Sequence, residues 1–206
     1  ETSLCLGLDI KSDALEFLDN LDATYFEYIA NSHIQNITED KPYEKESQFA
    51  ALAIRMAYSQ ALETLFSLLC AAIQAPYCFH AWINNYKSQE LYTLVRKIHN
   101  WQPVETMLSE KLVTWQTIAE TIFESLVLED KEKEIEIKQD FGNLWFRFAS
   151  QFLDNNFSLE YNSIKHGLRV RPGGFYFAIG VEDKAGVPTS KEKMQLLGKS
   201  EYGSYF

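Results

Sequence analysis

The alternation of apolar and polar positions predicts a mostly helical chain. In residues 11–31, apolar side chains recur at intervals of three and four, which is typical of one amphipathic helix. A polar loop comes next. Residues 44–74 then predict one long helix that ends before Pro76, because proline disfavours helical backbone in the residue preceding it. This helix is apolar almost all round, as expected of the central helix of a bundle.

The middle of the chain predicts three further helices. Residues 88–99 place their apolar side chains on one face, and Pro103 suits the first turn of a helix that runs to about Val127. The charged run 129–140 is either a solvated connection or the start of a helix. After it, the apolar positions again have helical spacing: Phe141, Leu144, Trp145, Phe148 and Phe152.

The pattern changes near the C-terminus. A short helix is expected over 159–166, with Gly167 as its left-handed stop. The segments 168–171 and 175–181 then flank a Pro-Gly-Gly sequence, which predicts a small hairpin.

The predicted fold is therefore all-α. It is an antiparallel helix bundle over residues 1–167, followed over 168–206 by a β-hairpin appendage and an irregular tail that begins near Asp183.

Composition adds a charge asymmetry to this picture. The 206 residues are 46% apolar and 14% aromatic, as in a folded domain, and the net charge is −10. General attraction to nucleic acid or anionic lipid is therefore not expected of the whole protein. Residues 158–206, however, hold seven Lys/Arg and five Asp/Glu, giving +2, whereas the remainder holds 12 and 24, giving −12.

The cysteines and the most apolar segment bear on location. Cys5, Cys70 and Cys78 are an odd number, without the spacing of a metal site, and predict a reducing compartment, the cytoplasm. The apolar segment 61–83 contains Glu63, Gln74, Pro76 and His80, and this predicts a buried helix and a turn rather than a membrane span.

A polar stripe runs along the long helix. It consists of Gln48, Arg55, Ser59, Glu63 and Ser67, and the four-residue spacing brings Arg55, Ser59 and Glu63 near one another. The favoured interpretation is that the stripe is the least buried edge of the helix. The alternative is that it points inward, where its charges need partners, at a cavity or a dimer contact.

The strongest candidate chemistry lies around His166. Asn162 and His166 share a helix face, and Lys165 lies beside Tyr161 one turn earlier. Beyond Gly167, Arg169 and Arg171 alternate to one side of the predicted strand. Arg and Lys both suit phosphate, and a histidine can transfer a proton in phosphodiester cleavage without a metal.

A structural interpretation accounts for the same residues. A histidine before a helix-ending glycine interacts favourably with the helix dipole when charged, by about 0.3–1 kcal/mol. Asn162 and His166 would then bond backbone carbonyls, and Tyr161 would belong to the core. Residue types and spacing alone favour this interpretation.

The long apolar helix and the late YNSIKHG helix resemble the HEPN superfamily, whose members are small all-α bundles, often dimeric. Many are metal-independent ribonucleases in toxin–antitoxin and phage-defence systems. Their hallmark is an Arg, usually followed by Asn, Asp or His, and then a His with four to six residues between it and the Arg. Asn162 and His166 match it, whereas Tyr161 occupies the Arg position.

The resemblance implies that His166 is a general acid or base and that Asn162 orients it or the substrate. Lys165, Arg169 and Arg171 would hold phosphate, with Lys165 or Arg169 in place of the missing Arg. The expected partner is RNA or a nucleotide, with a homodimer forming the cleft. The alternative is a non-catalytic helical module that binds a protein or a nucleotide.

Other motifs do not point to a second chemistry. The residues three before His33, His80, His99 and His166 are not acidic, which excludes the Glu-x-x-His pairs of a bundle metal site. No Gly-rich phosphate loop or hydrolase motif occurs. His99 lies on an ordinary amphipathic helix, too close to Arg96 for the hallmark, and is not expected to be a site. His80 is expected to be a packing residue, and His33 stands alone in the polar loop. No metal or cofactor is expected.

Overall fold

A computed structural model describes residues 10–37, 44–108, 112–167, 169–172, 175–182, 186–187, 189–200 and 203–205. Within these ranges lie eight α-helices: α1 Ile10–Asn20, α2 Thr24–Ile34, α3 Lys45–Gln74, α4 Phe79–Ile83, α5 Ser88–His99, α6 Trp115–Ile122, α7 Lys131–Phe152 and α8 Asn155–Lys165. The strands are β1 Val170–Pro172, β2 Phe175–Ile179, β3 Gln195–Ser200 and β4 Gly203–Tyr205. A mostly helical fold with a C-terminal antiparallel hairpin is thus confirmed.

The chain divides into two compact units. The first comprises Glu1–Thr24 and Ser59–Ser158, and the second comprises Tyr25–Tyr58 and Leu159–Phe206. The expected division of the chain into domains at Gly167 stays a prediction.

Phe66 of α3 lies at the centre of the first unit. Its ring is fully buried, with its centroid 5.3 Å from that of Trp115 in α6 and 5.1 Å from that of Phe152 in α7. The predicted bounds of α3 and α5 are confirmed, because in each helix the apolar spacing alone specifies the buried positions.

The prediction of one helix over 11–31 is wrong. Two helices, α1 and α2, are separated by residues 21–23. The carboxylate of Asp22 accepts hydrogen bonds from the backbone amide and the hydroxyl of Thr24, and these bonds lower the pKa of Asp22. A side-chain acceptor at this point starts a new helix, which the apolar spacing on either side does not reveal.

The prediction of a helix from Pro103 to Val127 is also wrong, since of the residues described in this range only those of α6 are helical. Residues 103–108 instead pair with the end of α3. The carbonyl of Ile73 accepts from the hydroxyl of Thr106 at 2.8 Å and from the amide of Met107 at 3.0 Å. These bonds satisfy a carbonyl that a helix end leaves without a partner. The α6 helix begins later, where the Thr114 hydroxyl accepts from the amide of Thr117.

The charged run 129–140 is the start of α7, one of the two expected alternatives. Asp130 is its N-cap and accepts from the amide of Lys133 at 3.1 Å. Glu134 accepts from the ammonium groups of Lys131 and Lys138, each at 2.9 Å. Together with a bond from the amide of Leu128, these bonds lower the pKa of Glu134 to about 2.

The strands form an antiparallel hairpin, but their partners differ from those expected. Strand β1 pairs with β4, and β2 pairs with β3, so the segments flanking Pro-Gly-Gly do not pair with each other. The β1–β4 ladder and the first three pairs of β2–β3 share one register, because the step from Pro172 to Phe175 matches the step from Ser200 to Gly203. A bulge between Phe177 and Ala178 then shifts the last two pairs of β2–β3 by one residue. The pairing of β1 with β4 and of β2 with β3 forms more backbone hydrogen bonds than a tight hairpin of β1 and β2 would. The segment that was expected to be an irregular tail supplies β3 and β4.

Among the described residues, α3 is long and apolar enough to cross a membrane. Half of its most apolar stretch of 18 residues is buried inside the protein. The core helix of a soluble protein meets the same criterion of length and composition. The absence of a membrane span therefore stays a prediction.

Helix α7 approaches α6 closely at Gly142, and we expect substitution there to destabilise the first unit. A Cβ atom on Gly142 would lie 3.0 Å from the Cα of Gln116 and would also contact its side chain. Gly142→Val should lower the free energy of unfolding by about 1–3 kcal/mol, because the backbone of α6 must move. Urea denaturation measures this, and Asn143→Val, on the exposed neighbour, should change it by less than about 0.5 kcal/mol. Equal stability of the two variants would contradict close packing.

Candidate functional site

Helix α8 carries the candidate residues and has defined ends. The Asp154 carboxylate accepts from the amide of Phe157 at 2.9 Å, so the helix begins four residues before the expected start. Gly167 ends it with φ of 123°, which confirms the predicted stop, since side chains other than glycine rarely adopt this conformation. The amide of Arg169 then donates to the carbonyl of Ser163 at 2.7 Å, and this bond fixes the exit of the chain.

The outward side of α8 presents the expected residues together. Asn162, Lys165 and His166 are all exposed, whereas Ser163 is buried and Glu160 is half-buried. Helical geometry places Asn162 and His166 one turn apart on the same face. The structure therefore brings three of the predicted site residues to one accessible surface.

The side chains of Asn162 and His166 form no hydrogen bond with the residues that the structure describes. The backbone of this segment is instead satisfied locally, since the amide of His166 donates to the carbonyl of Asn162 at 2.9 Å. The carbonyl bonds that the structural interpretation requires of these two side chains are therefore not formed within the described part of the chain. Both side chains face solvent.

Tyr161 contacts the cluster through a cation–π interaction. The Nζ atom of Lys165 lies 5.2 Å from the centroid of its ring. Such a contact contributes about 0.5–1 kcal/mol at an exposed site. Tyr161 is half-buried, which differs from the core position of the structural interpretation.

The two arginines beyond the helix have different surroundings. Arg169 is exposed, and its Nε atom would lie 4.0 Å from a Cβ on Gly167, so the side chain lies against the helix end. Arg171 pairs with Ser204 in the β1–β4 ladder, and its side chain lies outside the described residues.

Arg55 meets α8 on a different side. Its Nη2 and Nε atoms lie 3.0 and 3.1 Å from Oε2 of Glu160, and the two side chains are 40% and 28% exposed. Glu160 is about 200° around the helix from Asn162, so this ion pair lies opposite the His166 face. Sequence reasoning missed Glu160. The available signal was that a charged residue on an apolar helix needs a partner.

The polar stripe of α3 is not the least buried edge of the helix. Ser59 and Ser67 are buried, at 2% and 8% exposure. Ser67 donates to the Glu63 carbonyl at 2.7 Å, and the Glu63 carboxylate accepts from Ser88 at 3.3 Å. A serine hydroxyl can be buried because its own helix supplies an acceptor one turn back. Gln48, the first member of the stripe, is half-buried.

His99 and His80 lie against aromatic rings. The ring of His99 stacks on Phe146 at 4.4 Å, and burial lowers its pKa. His80 lies beside Phe79 and Phe17, with ring centroids 6.1 and 6.5 Å away. Within the described ranges, no three His, Cys, Asp or Glu side chains form a group that could hold a metal ion.

Cys70 is a free, fully buried thiol, and burial raises its pKa. A thiol with a raised pKa is unreactive. The cytoplasmic location stays a prediction.

A cleft in the first unit was missed from the sequence. It has a volume of about 1060 Å³ and lies between α5 and residues 103–108. The side chain of Gln74 accepts hydrogen bonds from Tyr86 and Trp82 on its wall. The cleft was missed because 103–108 was expected to be helical. None of the sequence-predicted site residues lines it.

No family model, curated protein or solved structure matches this chain.

We expect the neutral form of His99 to stabilise the fold relative to the charged form. Its pKa is below the ordinary value of 6.5 in the folded protein, so below that pH the unfolded chain binds a proton that the folded chain does not. The free energy of unfolding should therefore fall as the pH decreases through about 6.5. Thermal unfolding from about pH 8 to pH 5 measures this.

His99→Phe is the matched variant, because it keeps a ring against Phe146 and removes the titrating group. It should lose less stability than the wild type over the same pH range. A wild type and variant with identical pH dependence would contradict the pKa shift.

Proposed function

We propose that this protein is a HEPN-like RNA-binding domain and a metal-independent endoribonuclease. The observation that supports this most is the shared exposure of Asn162, Lys165 and His166 on the outward face of α8. An exposed histidine beside a lysine, with Arg169 just past the helix end, is better suited to binding a phosphodiester than to packing in the core.

The roles follow from the chemistry of each side chain. Lys165 and Arg169 hold the scissile phosphate, with Arg171 on the strand that comes after them. His166 takes the proton of the ribose 2′-hydroxyl as the 2′-oxygen bonds to phosphorus. The bond from phosphorus to the 5′-oxygen breaks, and solvent returns a proton to the leaving oxygen. Asn162, one turn before His166, orients the imidazole or the substrate.

The resemblance to HEPN proteins supplies the biological setting of this proposal. In this setting the protein is a cytoplasmic homodimer that acts on RNA within a toxin–antitoxin or phage-defence system. The two copies of α8 each contribute half of one cleft, as is usual for a symmetric dimer with a shared site.

A non-catalytic module is the second candidate, and Tyr161 favours it. A tyrosine stands where the HEPN hallmark has arginine, and its ring holds the Lys165 ammonium by a cation–π contact. A surface whose Lys165 ammonium is held against a ring binds a protein or the phosphate of a nucleotide. It does not stabilise the transition state of cleavage.

The first test is cleavage of labelled total RNA in EDTA. Wild type should cleave, and His166→Ala should reduce the rate by about 10²–10⁴-fold, because a general acid or base contributes this much. The matched control is His33→Ala, which removes a half-buried histidine of α2 and should cleave like the wild type.

The melting temperature separates the two interpretations of His166. The exposed ring predicts an unchanged value for His166→Ala, whereas a structural role predicts a clear decrease. RNA binding without cleavage by any variant would support the module, and cleavage by His166→Ala equal to wild type would overturn the assignment.

Tyr161→Arg tests whether the missing arginine limits activity. We expect it to increase the cleavage rate in the same assay, because a guanidinium binds phosphate in a bidentate manner and a phenol cannot. Tyr161→Phe keeps the ring beneath Lys165 and should leave the rate unchanged. A Tyr161→Arg variant that folds but shows no gain would indicate that α8 does not carry a HEPN-type site.

A further inference from the structure

The paired strands β1–β4, here called the arm, expose apolar side chains on both faces. In a strand, successive side chains point to opposite faces, so Tyr176 and Phe177 lie on different sides of the arm. They are 60% and 50% exposed. Ile179 on β2 and Leu196 and Leu197 on β3 are similarly exposed, at 50%, 48% and 52%.

This pattern differs from that of an ordinary surface hairpin. All five residues of β2, Phe-Tyr-Phe-Ala-Ile, are apolar or aromatic, and such continuous runs are typical of strands covered on both faces. A two-stranded hairpin alone in water is only marginally stable. The arm therefore requires a surface to cover it.

Charge indicates the kind of surface that would cover the arm. Lys199 on β3 is exposed, and so are Lys191 and Lys193 in the connection just before β3. The described acids of this connection are Glu182 and Glu192, which are also exposed. The segment 158–206 carries +2, whereas the rest of the chain carries −12. A second copy of this chain thus offers the opposite charge.

One face of the first half of α7 combines acidic and apolar side chains, and the exposed Lys131 and Lys133 flank it. Glu132, Ile135, Glu136, Gln139 and Asp140 are all exposed, and their three- and four-residue spacing places them on one helix face. Ile135, 56% exposed, places an apolar side chain among the carboxylates. The face combines acidic and apolar groups where the arm combines basic and apolar ones.

We propose that the arm of one copy binds the acidic face of α7 in a second copy. This names a contact for the proposed homodimer and does not depend on RNA cleavage. Apolar burial of Leu196, Leu197 and Ile135 stabilises the contact, and the lysine–carboxylate pairs fix its partner and speed association.

The test is mass in solution by light scattering across a concentration series. The wild-type chain of 23.8 kDa should associate to twice that mass, with the dissociation constant increasing as salt is added. Lys191→Glu/Lys193→Glu should weaken association by about tenfold or more, as should Glu132→Lys/Glu136→Lys. A mixture of the two double variants should restore it, because one new pairing of opposite charges then forms.

Lys87→Glu is the control, because Lys87 is highly exposed and lies outside both surfaces. It should associate like the wild type, and circular dichroism should show equal helix content in every variant. A monomeric wild type, or failure of the mixture to associate, would overturn the proposal. Loss of RNA binding by the lysine variants at unchanged mass would also overturn it and assign the arm to RNA. RNA cleavage is scored separately, so failure of the nuclease proposal is distinguishable.

Discussion

Burial of Phe66 is the interaction on which the first unit depends. Its ring is completely removed from solvent between Trp115 and Phe152, so one side chain joins α3, α6 and α7. Full burial of such a side chain contributes about 1.5–3 kcal/mol. The helix that carries it is also the longest in the described structure, and Cys70 and Ile73 continue its buried side. The positions of the other helices of this unit result from the need to cover that side.

The polar groups at the end of α3 determine the path of residues 103–108. The carbonyl of Ile73 and the side-chain amide of Gln74 bind residues 105–107, and Gln74 also accepts from Trp82 and Tyr86. These bonds hold the segment 103–108 beside α5, and the cleft opens between them. A non-helical segment is retained here because its hydrogen bonds are made to a helix end instead of within itself.

Helix α8 has one side that forms an ion pair and another side that faces solvent. Glu160 binds Arg55 on one side, where both groups are partly withdrawn from solvent, and this fixes the helix within the second unit. Asn162 and His166 lie on the opposite side and face solvent. A rigid element that presents polar side chains to solvent in this way is suited to binding a ligand. Tyr161, at the border between the two sides, is where this chain departs from the HEPN hallmark.

Local signals in the sequence were sufficient for the helices whose buried positions and ends lie close together along the chain. The apolar spacing predicted α3 and α5, and Gly167 predicted the end of α8, because each depends on residues within one or two turns. The shared face of Asn162 and His166 came from the same helical period, whereas its exposure to solvent did not. The tertiary structure was needed for the break at Asp22, the non-helical segment 103–108 and the partner of Arg55. It also paired Pro172 with Gly203 rather than closing a tight turn. Each of these depends on which donors, acceptors and apolar surfaces distant segments offer, and no local pattern contains that information.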